Sequence, residues 1–98
     1  MIDRKYVENV YEKIGKANLN NTLKIADEIK QTDDSFNKFV DFLMDICNDT
    51  MLQNKDKNIR VIAITHKYME MYESDMKYNL SMVADNFIME LCNAMRGF

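Results

Sequence analysis

His66 and Glu70 stand four residues apart in a stretch that reads as helix, the spacing of a helical metal-ligand pair or of a general acid-base couple. Two ligands do not make a site, and His66 is the only histidine in the chain. A surface or structural histidine is the expected role. Asp41, Asp45 and Asp49 repeat every four residues, which stacks three carboxylates along one helix face where a metal ion or a basic partner could meet them. Carboxylate-based metal bundles interleave a Glu-x-x-His pattern that is missing here, so the stripe reads as a solvated face, with Lys38 placed to compensate Asp41.

Cys47 and Cys92 fall on apolar helix faces with no CxxC motif and no histidine beside them, which predicts buried reduced thiols rather than zinc or a disulfide. The two glycines, Gly15 and Gly97, lie outside any phosphate-cradling loop, no serine sits in a strand-helix elbow, and Cys47 lacks a base in any motif. No catalytic residue, metal ligand set or cofactor site is expected, ATP included, and the chain is not expected to be an enzyme.

The elements that carry these side chains are helical. Ninety-eight residues suit one modest domain, here taken as 1–98, and the absence of proline together with the helix-favouring Leu, Met, Lys, Glu and Ala points to an all-α fold. Asp3 is placed to cap a first helix with the stripe Val7, Val10, Tyr11 and Ile14, and Gly15 to end it in a left-handed conformation. Lys16 to Asn21 reads as a connection, with Asn20 or Asn21 capping a second helix that carries Leu23, Ala26 and the flanking Ile25 and Ile29. Asp33, Asp34 and Ser35 open a long third helix whose apolar face runs from Phe36 to Met51 and should touch more than one neighbour.

Gln53 to Asn58 reads as a surface connection. The fourth helix, about Ile59 to Tyr72, has two apolar sides: Ile59, Ile62, Ala63, His66 and Met69 on one, and Val61, Ile64, Tyr68, Met71 and Tyr72 on the next. Glu73, Ser74 and Asp75 lead to a break. Asn79 then caps a final core helix through Met95, with Leu80, Val83, Ala84, Phe87, Ile88, Leu91 and Met95 along one face. Five antiparallel helices make a compact bundle.

The net charge of −3 gives no general attraction to phosphate, and Lys55, Lys57 and Arg60 form only a short basic cluster broken by Asp56, so no direct nucleic-acid contact is expected. No apolar run approaches a membrane span, and the charged N-terminal residues Asp3, Arg4 and Lys5 do not suit a signal peptide, which fits a cytoplasmic protein. The nine methionines read mainly as flexible core filler.

The run Asn79, Met82, Ala84, Asp85, Asn86, Phe87, Ile88, Met89 and Leu91 resembles the last helix of the C-terminal collar domain of bacterial clamp-loader δ′ subunits or related clamp-loader small subunits. Asp49 and Lys55 are similar to the acid and the lysine of an Arg-Asp-Leu-Leu segment in that family, although Asn48 replaces its arginine and Lys77 replaces the first Asn of an Asn-x-Asn pair. The two ATPase-type domains that precede the collar are missing from this chain. The resemblance implies a non-catalytic assembly domain that packs against the collars of γ/τ and δ subunits in the DNA polymerase III clamp loader, the complex that places the sliding clamp on DNA during replication. Phe42, Met44, Met69, Met82 and Met89 lie off the main stripes of their helices and are the candidate partner contacts. Two rival readings are a free-standing helical interaction module, homodimeric through the same faces, and a metal- or ligand-binding bundle using the aspartate stripe or His66 with Glu70 and Glu73.

Overall fold

In the computed structural model, which describes residues 1–74 and 78–98, Asp3, Asn18, Thr32 and Asn79 each accept a hydrogen bond from a first-turn backbone N–H through a side-chain oxygen. These caps start α1 (Arg4–Lys13), α2 (Leu19–Ile29), α3 (Asp33–Asp49) and α5 (Leu80–Met95), while α4 (Lys55–Glu73) begins after Asn54 with no side-chain cap. Each cap satisfies one of the amide donors that a helix start leaves without an intrahelical acceptor. A single 3-10 turn, Ile14–Lys16, joins α1 to the segment leading into α2. The fold is an all-α bundle of five helices with no strand among the described residues. Asp75 and Lys77 lie outside the described residues.

Three boundaries differ from expectation. The cap of α2 is Asn18 rather than Asn20 or Asn21, so Leu19 belongs to the helix and not to the connection. The helix α3 opens at Asp33 as expected, with Thr32 as its cap and Asp33 and Asp34 in the first turn where the helix dipole favours their charge, but it ends at Asp49 and leaves Thr50 and Met51 of the expected apolar face outside it. The helix α4 starts at Lys55, which moves Asn58 from the supposed surface connection into a helix where it is fully buried.

Gly15 also has a different role from the left-handed stop expected of it, because the chain continues through it in a right-handed 3-10 turn. A Cβ at that position would lie 2.5 Å from the Met95 backbone oxygen, so glycine is needed for space where the turn meets the end of α5.

The final helix is the pillar of the core. Val83, Ala84, Phe87, Ile88, Leu91, Cys92 and Met95 are all buried, and α5 packs against α2, α4 and the 3-10 turn. Phe87 meets Phe36 and Phe39 of α3 edge-on at 6.1 Å between centroids, and Tyr68 of α4 at 5.6 Å. One ring thus joins three helices in the offset geometries aromatic pairs prefer. The third helix touches α1, α2 and α4, as its broad apolar face requires. A radius of gyration of 12.4 Å is what a compact chain of this length gives.

On α4, only the Val61, Ile64 and Tyr68 side is core, joined by Asn58 and Thr65. The other expected apolar side is only partly covered: Ile59 is 52% exposed and Ala63 and His66 are exposed, while Ile62 and Met69 are half-buried against the core. Buried Asn58 and Thr65 are tolerated because each is bonded: Thr65 Oγ1 donates to the Val61 carbonyl at 2.7 Å, and Asn58 joins α1 to α3.

Candidate functional site

A surface that could hold a partner is built on the outer flank of α5 and the adjoining flank of α2. Lys30, at the end of α2, donates to Asp85 Oδ1 at 2.8 Å and to Ser81 Oγ at 3.2 Å, while the carbonyl of Ala17, before α2, meets the Cys92 thiol at 3.6 Å. The two helices therefore run antiparallel. Leu19 and Leu23 share the helical stripe of Lys30, and the register brings Leu23 level with the turn of α5 that carries Met89.

Leu19 is 58%, Leu23 41% and Met89 37% exposed, and Met82 is half-buried on the same outer stripe of α5 as Met89. Between and beside the methionines stand two amides, Asn86 and Asn93. The Asn86 side chain donates to the Met82 carbonyl at 2.9 Å, which lowers what its desolvation would cost. Charges on either flank are paired: Lys30 with Asp85 and Asp27 on one side, Lys67 with Glu90 at 2.9 Å on the other. Lys67, and after it the Tyr68 hydroxyl at 2.7 Å, holds the Glu90 carboxyl below its usual range. The face is thus apolar at its centre and neutralised at its edges, the charge-poor make-up of interface cores.

The candidate contacts chosen from sequence divide on this geometry. Met82 and Met89 lie on the face just described, whereas Phe42, Met44 and Met69 are half-buried and packed against the core, so much of their apolar surface serves the monomer. Leu19 and Leu23, which are not among those candidates, are exposed on the same face. Leu19 sits beside two asparagines in a stretch that reads as loop, and only recognition of Asn18 as the cap would have put it on a helix.

The family-motif positions have local work. Asn79 caps α5 by accepting from Met82 N at 2.8 Å, Asp85 holds Lys30, and Asp49 accepts from Arg4 at 2.6 Å, tying α3 to α1. Lys55 is an exposed first-turn residue of α4. Asp49 is thereby taken from the aspartate stripe, and Lys38 pairs with Asp34 at 3.3 Å instead of compensating Asp41. Among the described residues no three His, Cys, Asp or Glu side chains come together as a metal set, and His66 and Glu70 are both exposed. Lys57 does not belong to an outward basic cluster, because it folds back over the Tyr11 ring. No described helix is long and apolar enough to cross a membrane.

Cys47 and Cys92 are free and buried, as their setting in the sequence implies. Burial pushes the Cys47 thiol up to about 11, which keeps it protonated and unreactive at neutral pH. Comparison of the chain with protein-family models, with curated proteins and with solved structures finds no match.

Proposed function

We propose that this domain is a non-catalytic assembly module that acts by packing its α2–α5 face against another protein domain. The observation that carries the reading is the exposed set Leu19, Leu23 and Met89 in a frame of amides and paired charges. In its specific form the proposal is a clamp-loader collar: the final-helix residues Asn79, Asp85, Asn86 and Met89 carry the resemblance, and the partners are the collars of γ/τ and δ subunits of the DNA polymerase III clamp loader.

Light scattering after gel filtration, on this chain mixed with the γ or τ and δ collar regions of its own source, tests it. A mixed complex that is lost in Leu23→Glu or Met89→Glu, with far-UV helicity retained, is the expected result. A homodimer that ignores those partners but is broken by the same substitutions keeps the assembly role and removes the clamp-loader form. A monomer under all these conditions overturns both.

A further inference from the structure

We propose a second docking site on this chain: the groove between α1 and α2 takes an acidic amphipathic helix of a partner protein. The two helices have hardly any direct contact with each other, and between them, closed at one end by the 3-10 turn, lies a cleft of about 540 Å³. Its floor is apolar, with Val10 and Ile14 buried and Ala17 and Ile25 half-buried. An amphipathic helix laid along such a groove would seat residues spaced three and four apart on that floor.

The charge of the rim selects the occupant. Lys13, Lys16 and Lys24 border the cleft, all three exposed and none with an ion-pair partner among the described residues, whereas Glu28 is the one acid that lines it. The chain as a whole carries −3, so this is a locally positive margin on an acidic domain. Carboxylates flanking the apolar stripe of the incoming helix would meet all three ammonium groups, and a basic helix would meet like charge. A second copy of this chain is a poor occupant through its own acidic stripe, because the outward residues around Asp41 and Asp45 offer no apolar row to fill the floor.

The site is separate from the α2–α5 face, and the two use opposite flanks of α2: Leu19 and Leu23 on one, Asn21, Lys24, Ile25 and Glu28 on the other. It stands whether or not the assembly reading does.

The test is amide chemical-shift mapping on the isotopically labelled full chain. The probes are a capped amphipathic peptide with Leu at positions i, i+3, i+4 and i+7 and Glu on its flanks, and the same peptide with Lys for Glu. Saturable shifts at Val10, Ile14, Ala17 and Ile25 with the acidic peptide only are expected, with affinity falling by about tenfold in Lys13→Glu plus Lys24→Glu and in high salt. Both lysines are exposed, and unchanged helicity of the variant verifies that it folds. No shift with the acidic peptide, equal binding of the basic one, or shifts centred on Leu23 and Met89 would overturn the proposal. Dodecanoate giving the same map at lower concentration than the peptide would overturn it in favour of a small amphiphile.

Discussion

Tyr6 and Tyr11 lie on the same helix, five residues apart, and their hydroxyls have opposite fates. Tyr11 Oη donates to Asn58 Oδ1, while the Asn58 amide donates to the Cys47 carbonyl at 2.9 Å and to Thr50 Oγ1 at 3.0 Å. Lys57 adds its ammonium 3.9 Å from the ring centroid and a bond of 2.9 Å to the Tyr11 carbonyl. Burial lowers the Lys57 ammonium from its ordinary value, so the lysine sits there as part of the packing and not as a free surface charge. Tyr6 Oη is sequestered but has no hydrogen-bond partner in the protein. Burial, and after it the Glu28 carboxylate, pushes this phenol well above its ordinary range; Glu28 is close enough to be felt but does not reach hydrogen-bond geometry.

The difference separates a closed region from an open one. Around Tyr11 three helices meet and every polar group has an answer, so the cluster fixes how α1, α3 and α4 sit together. Tyr6 instead lines the cleft across which α1 and α2 face each other.

The sharpest way to break this contrast is Asn58→Ala, which leaves the Cys47 carbonyl without its side-chain donor and the Tyr11 hydroxyl with only its longer 3.4 Å contact to Thr50 Oγ1, and should cost about 3 kcal/mol in denaturant unfolding. A loss below roughly 1 kcal/mol would mean that the cluster does not hold the closed region together. Gly15→Ala attacks the turn at the end of the cleft, driving a methyl into the Met95 backbone, and a loss of about 1–3 kcal/mol is expected by the same measurement. The matched pair comes next: Tyr11→Phe should cost about 1 kcal/mol, whereas Tyr6→Phe, which removes a hydroxyl with no partner, should be neutral or slightly stabilising. Equal losses for the two would erase the comparison.

The smallest effect concerns Glu90, on the edge of the α2–α5 face. Its carboxyl is held below the ordinary value, so its contribution to stability is present above that value and is lost as pH falls through the lowered one. Glu90→Gln should lower stability slightly in the neutral range, where the charged carboxylate contributes, and so flatten the acid limb of the stability curve, as measured by thermal unfolding across pH.

Much of the fold could be read from the chain because its signals were local. Asp3 and Asn79 announce their helices by side-chain chemistry, and the stripes of α3 and α5 agree with their buried faces. On α4 the apolar pattern misleads, since Ile59 and Ala63 face outward while the polar Asn58 and Thr65 are inside. A hydrophobic period ranks residues by type, and it cannot show that an amide far along the chain will find Tyr11. The same limit applies to the exposed apolar face and to the cleft. Met82 and Met89 announced themselves by lying off the stripe, but Leu23 becomes part of their face only through the pairing of α2 with α5, and the lysine-edged cleft draws its residues from two helices and a turn.

The place of α5 in the core also bears on how the chain folds as it is made. Without α5, the edges of Phe36, Phe39 and Tyr68 that meet Phe87 have no cover, and α2 loses its main neighbour. A nascent chain that has released α1 to α4 therefore carries an open apolar surface until the last helix emerges from the ribosome, the interval in which such chains are most exposed to aggregation and to capture by chaperones.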